Sequence, residues 1–286
     1  MNKQQRTKQN KPFSTVQYKH DLGQHFLYDK DLLRSLVQKI DLKSTDHVLE
    51  IGAGAGTLTK VLCETAAQVT AVEVDKALLP LLQVLASAYD NLTIIQSDIR
   101  RVDMHVLHMG EGFRVVANLP YSITSQILDL FWGKNLNVSQ MSVMVQKEVA
   151  DKLIAAPGDK AYGLMSVRCR YYCIPEIVAQ VPASAFTPPP KVDSAFVNLV
   201  FRQKPLLPEE KEKLFWKLVQ ASYRLRRKTL INALKTVIPI PPETLAELLK
   251  EMGFSATVRG EVFSVAQWID LVNAIEQHRD LYSFQP

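Results

Sequence analysis

His47-Val-Leu-Glu-Ile-Gly-Ala-Gly-Ala-Gly-Thr57 is the stretch that decides the fold. Its first five residues form a short apolar run that reads as a buried strand, the alternating glycines end it, and a helix is expected from about Leu58 to Thr65. Strand, glycine turn and helix in that order open a βαβ unit, so the chain is read as α/β with a parallel sheet. The pattern comes close to the dinucleotide fingerprint G-x-G-x-x-G. Its third glycine falls one residue early, however, and Thr57 stands where the fingerprint needs glycine. This spacing lets backbone approach a ligand closely without setting a diphosphate on a tight helix end, which points away from an NAD enzyme toward another nucleotide.

Three further apolar runs carry polar residues at their ends. Gln68 to Val72 leads to Glu73, Leu92 to Gln96 leads to Ser97-Asp98, and Phe113 to Ala117 leads to Asn118-Leu-Pro-Tyr121. In an open α/β sheet the ligand crevice lies outside the carboxyl ends of the strands, so the glycines, Glu73, Asp98 and Asn118 are expected to face one crevice. Glu73 can accept both ribose hydroxyls of an adenosine-type ligand, and Asp98 can take the amino group of its adenine. Asn118 and a neighbouring backbone carbonyl can accept hydrogen bonds from a planar amine while Tyr121 stacks on the ring that carries it. Taken singly, each acid also reads as a turn or helix cap, and Asn118 to Tyr121 as an Asn-Pro-type turn.

Before the first strand, Asp21-Leu-Gly-Gln-His-Phe-Leu27 precedes a helix expected from about Lys30 to Ile40 with Asp29 as its cap. This aromatic loop can close over a ligand or serve as a hydrophobic staple. After Tyr121 the spacing predicts a helix near Ser125 to Trp132, a strand Gln140 to Val145 and a helix from Lys147. Ala161 to Tyr172 and Glu176 to Val181 read as strands, and Ala195 to Phe201 as an alternating edge strand. Between them, the Pro run of Ala185 to Ser194 reads either as a linker or as a rigid segment whose Phe186 forms the far wall of a base pocket. Arg202 to Pro208 marks the boundary to a helical region with helices at Glu209 to Tyr223, Arg226 to Val237, Pro242 to Met252 and Val265 to Gln277.

The 286 residues are 47% hydrophobic, enough for a sizeable core split into one large and one small domain. No apolar run approaches the roughly 18 residues of a membrane span, and the N-terminus is polar, so a cytoplasmic protein is expected. Cys63, Cys169 and Cys173 form no paired Cys-x-x-Cys sets, which argues against zinc and against a disulfide framework. The net charge of +5 is unevenly spread. Residues 1–20 carry Lys3, Arg6, Lys8, Lys11 and Lys19 with no acid, residues 1–17 being expected as a disordered basic tail, and Arg224, Arg226, Arg227 and Lys228 form a second basic cluster. Two such patches suggest a polyanionic partner; a solvated tail and an ordinary basic helix face are the plainer reading.

Beyond these readings, Leu22-Gly-Gln-His-Phe-Leu27, Leu49-Glu-Ile-Gly-Ala-Gly54, Val72-Glu-Val-Asp75, Asn118-Leu-Pro-Tyr121, Val145-Gln-Lys-Glu148, Ala185-Phe-Thr-Pro-Pro-Pro-Lys-Val-Asp-Ser194 and Arg226-Arg-Lys-Thr-Leu230 occur in this order. The set resembles the ribosomal RNA adenine dimethyltransferases of the KsgA type. The resemblance implies a Rossmann-like S-adenosylmethionine-dependent methyltransferase domain at 18–203 and a small C-terminal all-helical, RNA-binding domain at 204–286. The acceptors it implies are two adjacent adenines near the 3′ end of small-subunit (16S) ribosomal RNA, methylated by an enzyme expected to act as a monomer. It further implies that His25, Leu27, Gly52, Glu73, Asp98 and Asn118 line the S-adenosylmethionine site. Asn118, Leu119, Pro120 and Tyr121 would hold the target adenine, with Phe186 near its other face. The tail and the cluster of Arg224, Arg226, Arg227 and Lys228 would contact RNA. Two rivals share parts of this pattern: a large-subunit adenine methyltransferase that confers antibiotic resistance, and an assembly factor that binds RNA without catalysis.

Overall fold

The computed structural model describes residues 23–104, 112–133 and 136–277. The basic tail at residues 1–17 lies outside them. The chain begins with a two-residue strand β1 (Phe26–Leu27) and helix α1 (Lys30–Lys39), followed by the repeating unit β2 (His47–Ile51), α2 (Thr57–Cys63), β3 (Gln68–Glu73), α3 (Leu79–Ala86) and β4 (Leu92–Gln96). Then come β5 (Phe113–Asn118), α4 (Thr124–Phe131), β6 (Val138–Gln146), α5 (Lys147–Ile154), α6 (Leu164–Tyr172), β7 (Cys173–Val181), β8 (Phe186–Thr187) and β9 (Ser194–Phe201). Four helices close the described chain: α7 (Glu209–Arg224), α8 (Leu230–Leu234), α9 (Pro242–Glu251) and α10 (Val265–Gln277).

Seven strands form one sheet in the order β4-β3-β2-β5-β6-β9-β7. Strands β2 to β6 pair in parallel, whereas β9 runs antiparallel to both β6 and β7. The order reverses between β2 and β5, so the loops after these strands diverge and leave a crevice between them. Alternating residues of each strand feed two cores. Leu49, Ile51, Val115 and Val143 pack on one face of the sheet, and Val48, Val69, Val116 and Met144 on the other. Helix α1 starts where Asp29 accepts the N–H groups of Asp31 and Leu32, and it buries Leu33, Leu36 and Val37 against the second core.

Three sequence expectations need correction. Ala161 to Tyr172 was expected to be a strand, yet Leu164–Tyr172 is helix α6. Ser166 starts it by accepting the Gly163 N–H. The helix is wedged between two cores: Cys169 joins the first, while Val167 and Tyr171 join a third core built around α7 to α10. A helix that buries both sides loses the one-sided 3.6 period by which sequence reveals it. Strand β9 was expected at an edge, but it lies inside the sheet with β7 outside it. Its polar alternation serves the sheet, since Asn198 accepts hydrogen bonds from Gln140 and Ser142 on β6. Finally, Arg226 to Val237 is not one helix. Arg226 to Lys228 form a turn, and Thr229 caps the short α8 by accepting the Asn232 N–H.

Candidate active site

The polar residues at the strand ends converge as the topology requires. Glu73, the last residue of β3, is 4% exposed and binds the glycine turn: its Oε2 accepts the Gly54 N–H and its Oε1 the Asp75 N–H, both at 2.7 Å. Each oxygen therefore retains a lone pair for a ligand hydroxyl. Burial raises the pKa of Glu73, against the opposing effect of the two backbone donors. Gly54 takes a left-handed conformation with φ of 59°, and a Cβ there would lie 2.7 Å from the Phe26 ring, so only glycine fits. Beneath the turn lies a second acid, Glu50, 1% exposed; burial pushes it up to about 8.

At the end of β5, Asn118 Nδ2 donates to the backbone carbonyl of His25 at 2.8 Å. That bond fixes which end of the amide is which and turns Oδ1 away as an acceptor for an incoming amine. The Tyr121 hydroxyl meets Ser194 Oγ at 2.5 Å, and its ring stacks on His25 with centroids 5.3 Å apart and planes 26° apart. His25 Nδ1 in turn reaches the Pro188 carbonyl at 2.7 Å. One face of Tyr121 is thereby taken by His25, and a base can stack on the other. Gln24 Nε2 donates to Asp75 Oδ2 at 3.2 Å, which ties the Gly23 to Phe26 segment across the glycine turn.

Two adjoining cavities result. One lies between the Gly23 to Phe26 segment, Gly52, Glu73 and Asn118 to Tyr121. The other has an apolar floor of Ile51, Val72, Ile99 and Ile127 and a polar rim of Asp98 and Arg100. Gly52, Val74 and Pro120 wall both. An apolar slot beside a buried carboxylate and a glycine cradle fits an adenosine carrying an amino-acid chain: purine in the slot, ribose at Glu73 and the chain beside Gly52 and Asn118.

His25, Gly52, Glu73, Asn118, Leu119, Pro120 and Tyr121 thus line the first cavity, and Asp98 lines the second. Leu27 and Phe186 are brought together elsewhere. They face each other across the β1–β8 pair and are buried in the second core, so neither side chain lines either cavity. Arg224, Arg226, Arg227 and Lys228 are exposed where α7 ends and in the turn after it, and Arg226 pairs with Glu261 at 3.3 Å. The Tyr121–Ser194 bond, the Gln24 tether and Arg100 escaped the sequence reading. Ser194 ends the Pro-rich segment that begins at Ala185, but nothing in the spacing joins it to Tyr121. Among the described residues no group of His, Cys, Asp and Glu is arranged to hold a metal, and no helix is long and apolar enough to cross a membrane.

The switch-point crevice, a glycine turn bound by the acid at the end of the next strand, and Asn118 to Tyr121 beside it define a methyltransferase that uses S-adenosylmethionine. The chain belongs to the ribosomal RNA adenine dimethylase family, whose profile matches residues 15–277. Curated relatives agree. The chain is 41% identical over 267 residues to ribosomal RNA small subunit methyltransferase A of Lachnoclostridium phytofermentans, covering 91% of this chain and 92% of that one. It is 39% identical over 270 residues to the protein of the same name from Enterococcus faecalis, covering 92% of each. Among solved structures, a dimethyladenosine transferase from Plasmodium falciparum superposes with a TM-score of 0.75 at 23% identity, over 88% of this chain and 98% of that one. The 23S rRNA methyltransferase ErmE superposes with a TM-score of 0.73 at 26% identity, over 88% of this chain and all of that one.

Proposed function

We propose that this chain transfers methyl groups to the 6-amino groups of two adjacent adenines near the 3′ end of 16S ribosomal RNA, acting on the small ribosomal subunit. The observation that carries this reading is the oriented Asn118 amide beside Tyr121 at the mouth of the cofactor cavity. S-adenosylmethionine, when bound, supplies an activated methyl group on a sulfonium. The adenine amine is a weak nucleophile because its lone pair is delocalised into the ring. Asn118 Oδ1 and the Leu119 carbonyl accept its two N–H groups, favour a pyramidal nitrogen and align the lone pair with the methyl. Tyr121, held by Ser194 and His25, stacks on the flipped base and offsets the few kcal/mol of unstacking. As the new N–C bond forms, the C–S bond would break to leave S-adenosylhomocysteine, and the methylated nitrogen would shed its proton to water, so no strong base is needed and positioning and electrostatics carry the rate.

Identity to small-subunit enzymes near 40% over nine-tenths of the chain favours the 16S substrate over the 23S substrate of ErmE. In this reading residues 204–286 form the RNA-binding domain, with Arg224 and Arg226 to Lys228 on phosphate, and residues 1–17 add a basic arm. Phe186 supports the base pocket from the core behind it. The enzyme works as a cytoplasmic monomer.

The test is Asn118→Ala. Removal of one pre-positioned acceptor lowers turnover by about 10²–10³-fold, while S-adenosylhomocysteine still binds. Near-normal turnover by this variant refutes the mechanism.

A further inference from the structure

Arg100 holds the carboxylate that a bound purine needs. It follows Asp98 in the short turn Ile99–Arg101, and both side chains rim the apolar slot. The Arg100 backbone N–H donates to Asp98 Oδ1 at 3.0 Å, Nε lies 3.0 and 3.1 Å from Oδ1 and Oδ2, and Nη2 donates to Oδ2 at 2.6 Å. From the far side of the guanidinium, Nη1 donates to Gln126 Oε1 on α4 at 2.7 Å. The fork thus links the turn after β4 to α4. It also occupies nearly all of the roughly four lone-pair positions that a carboxylate offers. The Arg100 contact holds Asp98 below the ordinary carboxylate range, so Asp98 meets a ligand as a pure acceptor.

We propose that Arg100 is a specificity-determining latch: the purine end of the cofactor binds to Asp98 in exchange for part of the Arg100 fork. The inference rests on the cofactor reading above. The exchange is inexpensive because the Arg100 side chain is 44% exposed and the freed guanidinium rehydrates readily. A guanidinium carries donors only. Arg100 therefore competes with a 6-amino purine for Asp98, yet it can donate to the O6 of a 6-oxo purine, an atom that the carboxylate alone would repel. The latch weakens binding of the right purine and narrows discrimination against the wrong one.

The test is titration calorimetry on the full chain with S-adenosylhomocysteine and S-inosylhomocysteine. Arg100→Leu is expected to bind S-adenosylhomocysteine about two- to fivefold more tightly and the inosyl analogue more weakly. Gln126→Ala, which cuts only the far anchor, gives a smaller tightening. Molar salt screens the exposed pair and narrows the gap between wild type and Arg100→Leu. Equal or weaker binding of S-adenosylhomocysteine by a folded Arg100→Leu variant overturns the latch while the cofactor reading stands. A wild-type chain that binds no S-adenosylhomocysteine overturns both.

Discussion

Replacing Glu50 with glutamine probes the acid buried beneath the glycine turn. Its side chain is 1% exposed, and Oε2 meets no hydrogen-bond donor among the described residues. Burial raises its pKa from 4.5 to about 8, with the neighbouring Thr59 hydroxyl opposing and the Glu73 charge adding. Between those values the folded protein keeps a proton that the unfolded chain has released, so stability falls as pH rises and the loss is complete above the folded value. The slope for one such group is about 1.4 kcal/mol per pH unit. From about pH 5.5 to 7.5, Glu50 alone therefore removes on the order of 2 kcal/mol. Other carboxylates titrate too, so the quantity to measure is the stability of Glu50→Gln minus that of wild type. Urea unfolding followed by tryptophan fluorescence at constant ionic strength gives it. The difference should grow by about 1.4 kcal/mol per unit in favour of the variant across that range. A difference constant to within about 0.5 kcal/mol would mean that Glu50 is already ionised in the folded protein, and the burial argument would be wrong.

Tyr121→Phe keeps the ring and loses the Ser194 bond, so transfer should fall only a few fold, whereas Tyr121→Ala should lose about 1–3 kcal/mol of base stacking, read as weaker RNA-dependent kcat/KM with S-adenosylhomocysteine affinity unchanged. Equal losses in the two variants would place the role of Tyr121 in its hydroxyl. Changing Arg226, Arg227 and Lys228 together to Ala should weaken RNA binding and lower the slope of log K against log salt by about 3. An unchanged slope would return that turn to an ordinary solvated surface.

Where local chemistry and global position agreed, the sequence was readable. The glycine turn, Glu73, Asp98 and Asn118 all lie at strand ends of a parallel sheet, so identifying the strands was enough to bring them to one crevice. Asp29 caps α1 as its position suggested, and α10 spans Val265–Gln277 as the apolar period predicts. Helix α6 was misread because two cores claim its opposite sides, and β9 because its polar residues pair across the sheet instead of facing water. Phe186 could not be placed from sequence. Its position depends on a two-residue strand pairing with β1 about 160 residues away, a contact that no local pattern encodes. Arg100 was invisible for a related reason: a basic residue two positions after an acid reads as surface charge until Gln126 is seen to hold its other end.

The most direct test of the account is transfer of labelled methyl from S-adenosylmethionine to small ribosomal subunits that lack adenine dimethylation, with large subunits as the control. The account predicts label on the small subunit alone, located on adenine N6 and lost with Asn118→Ala. Label on large-subunit RNA alone, or binding to small subunits with no label at all, would contradict it.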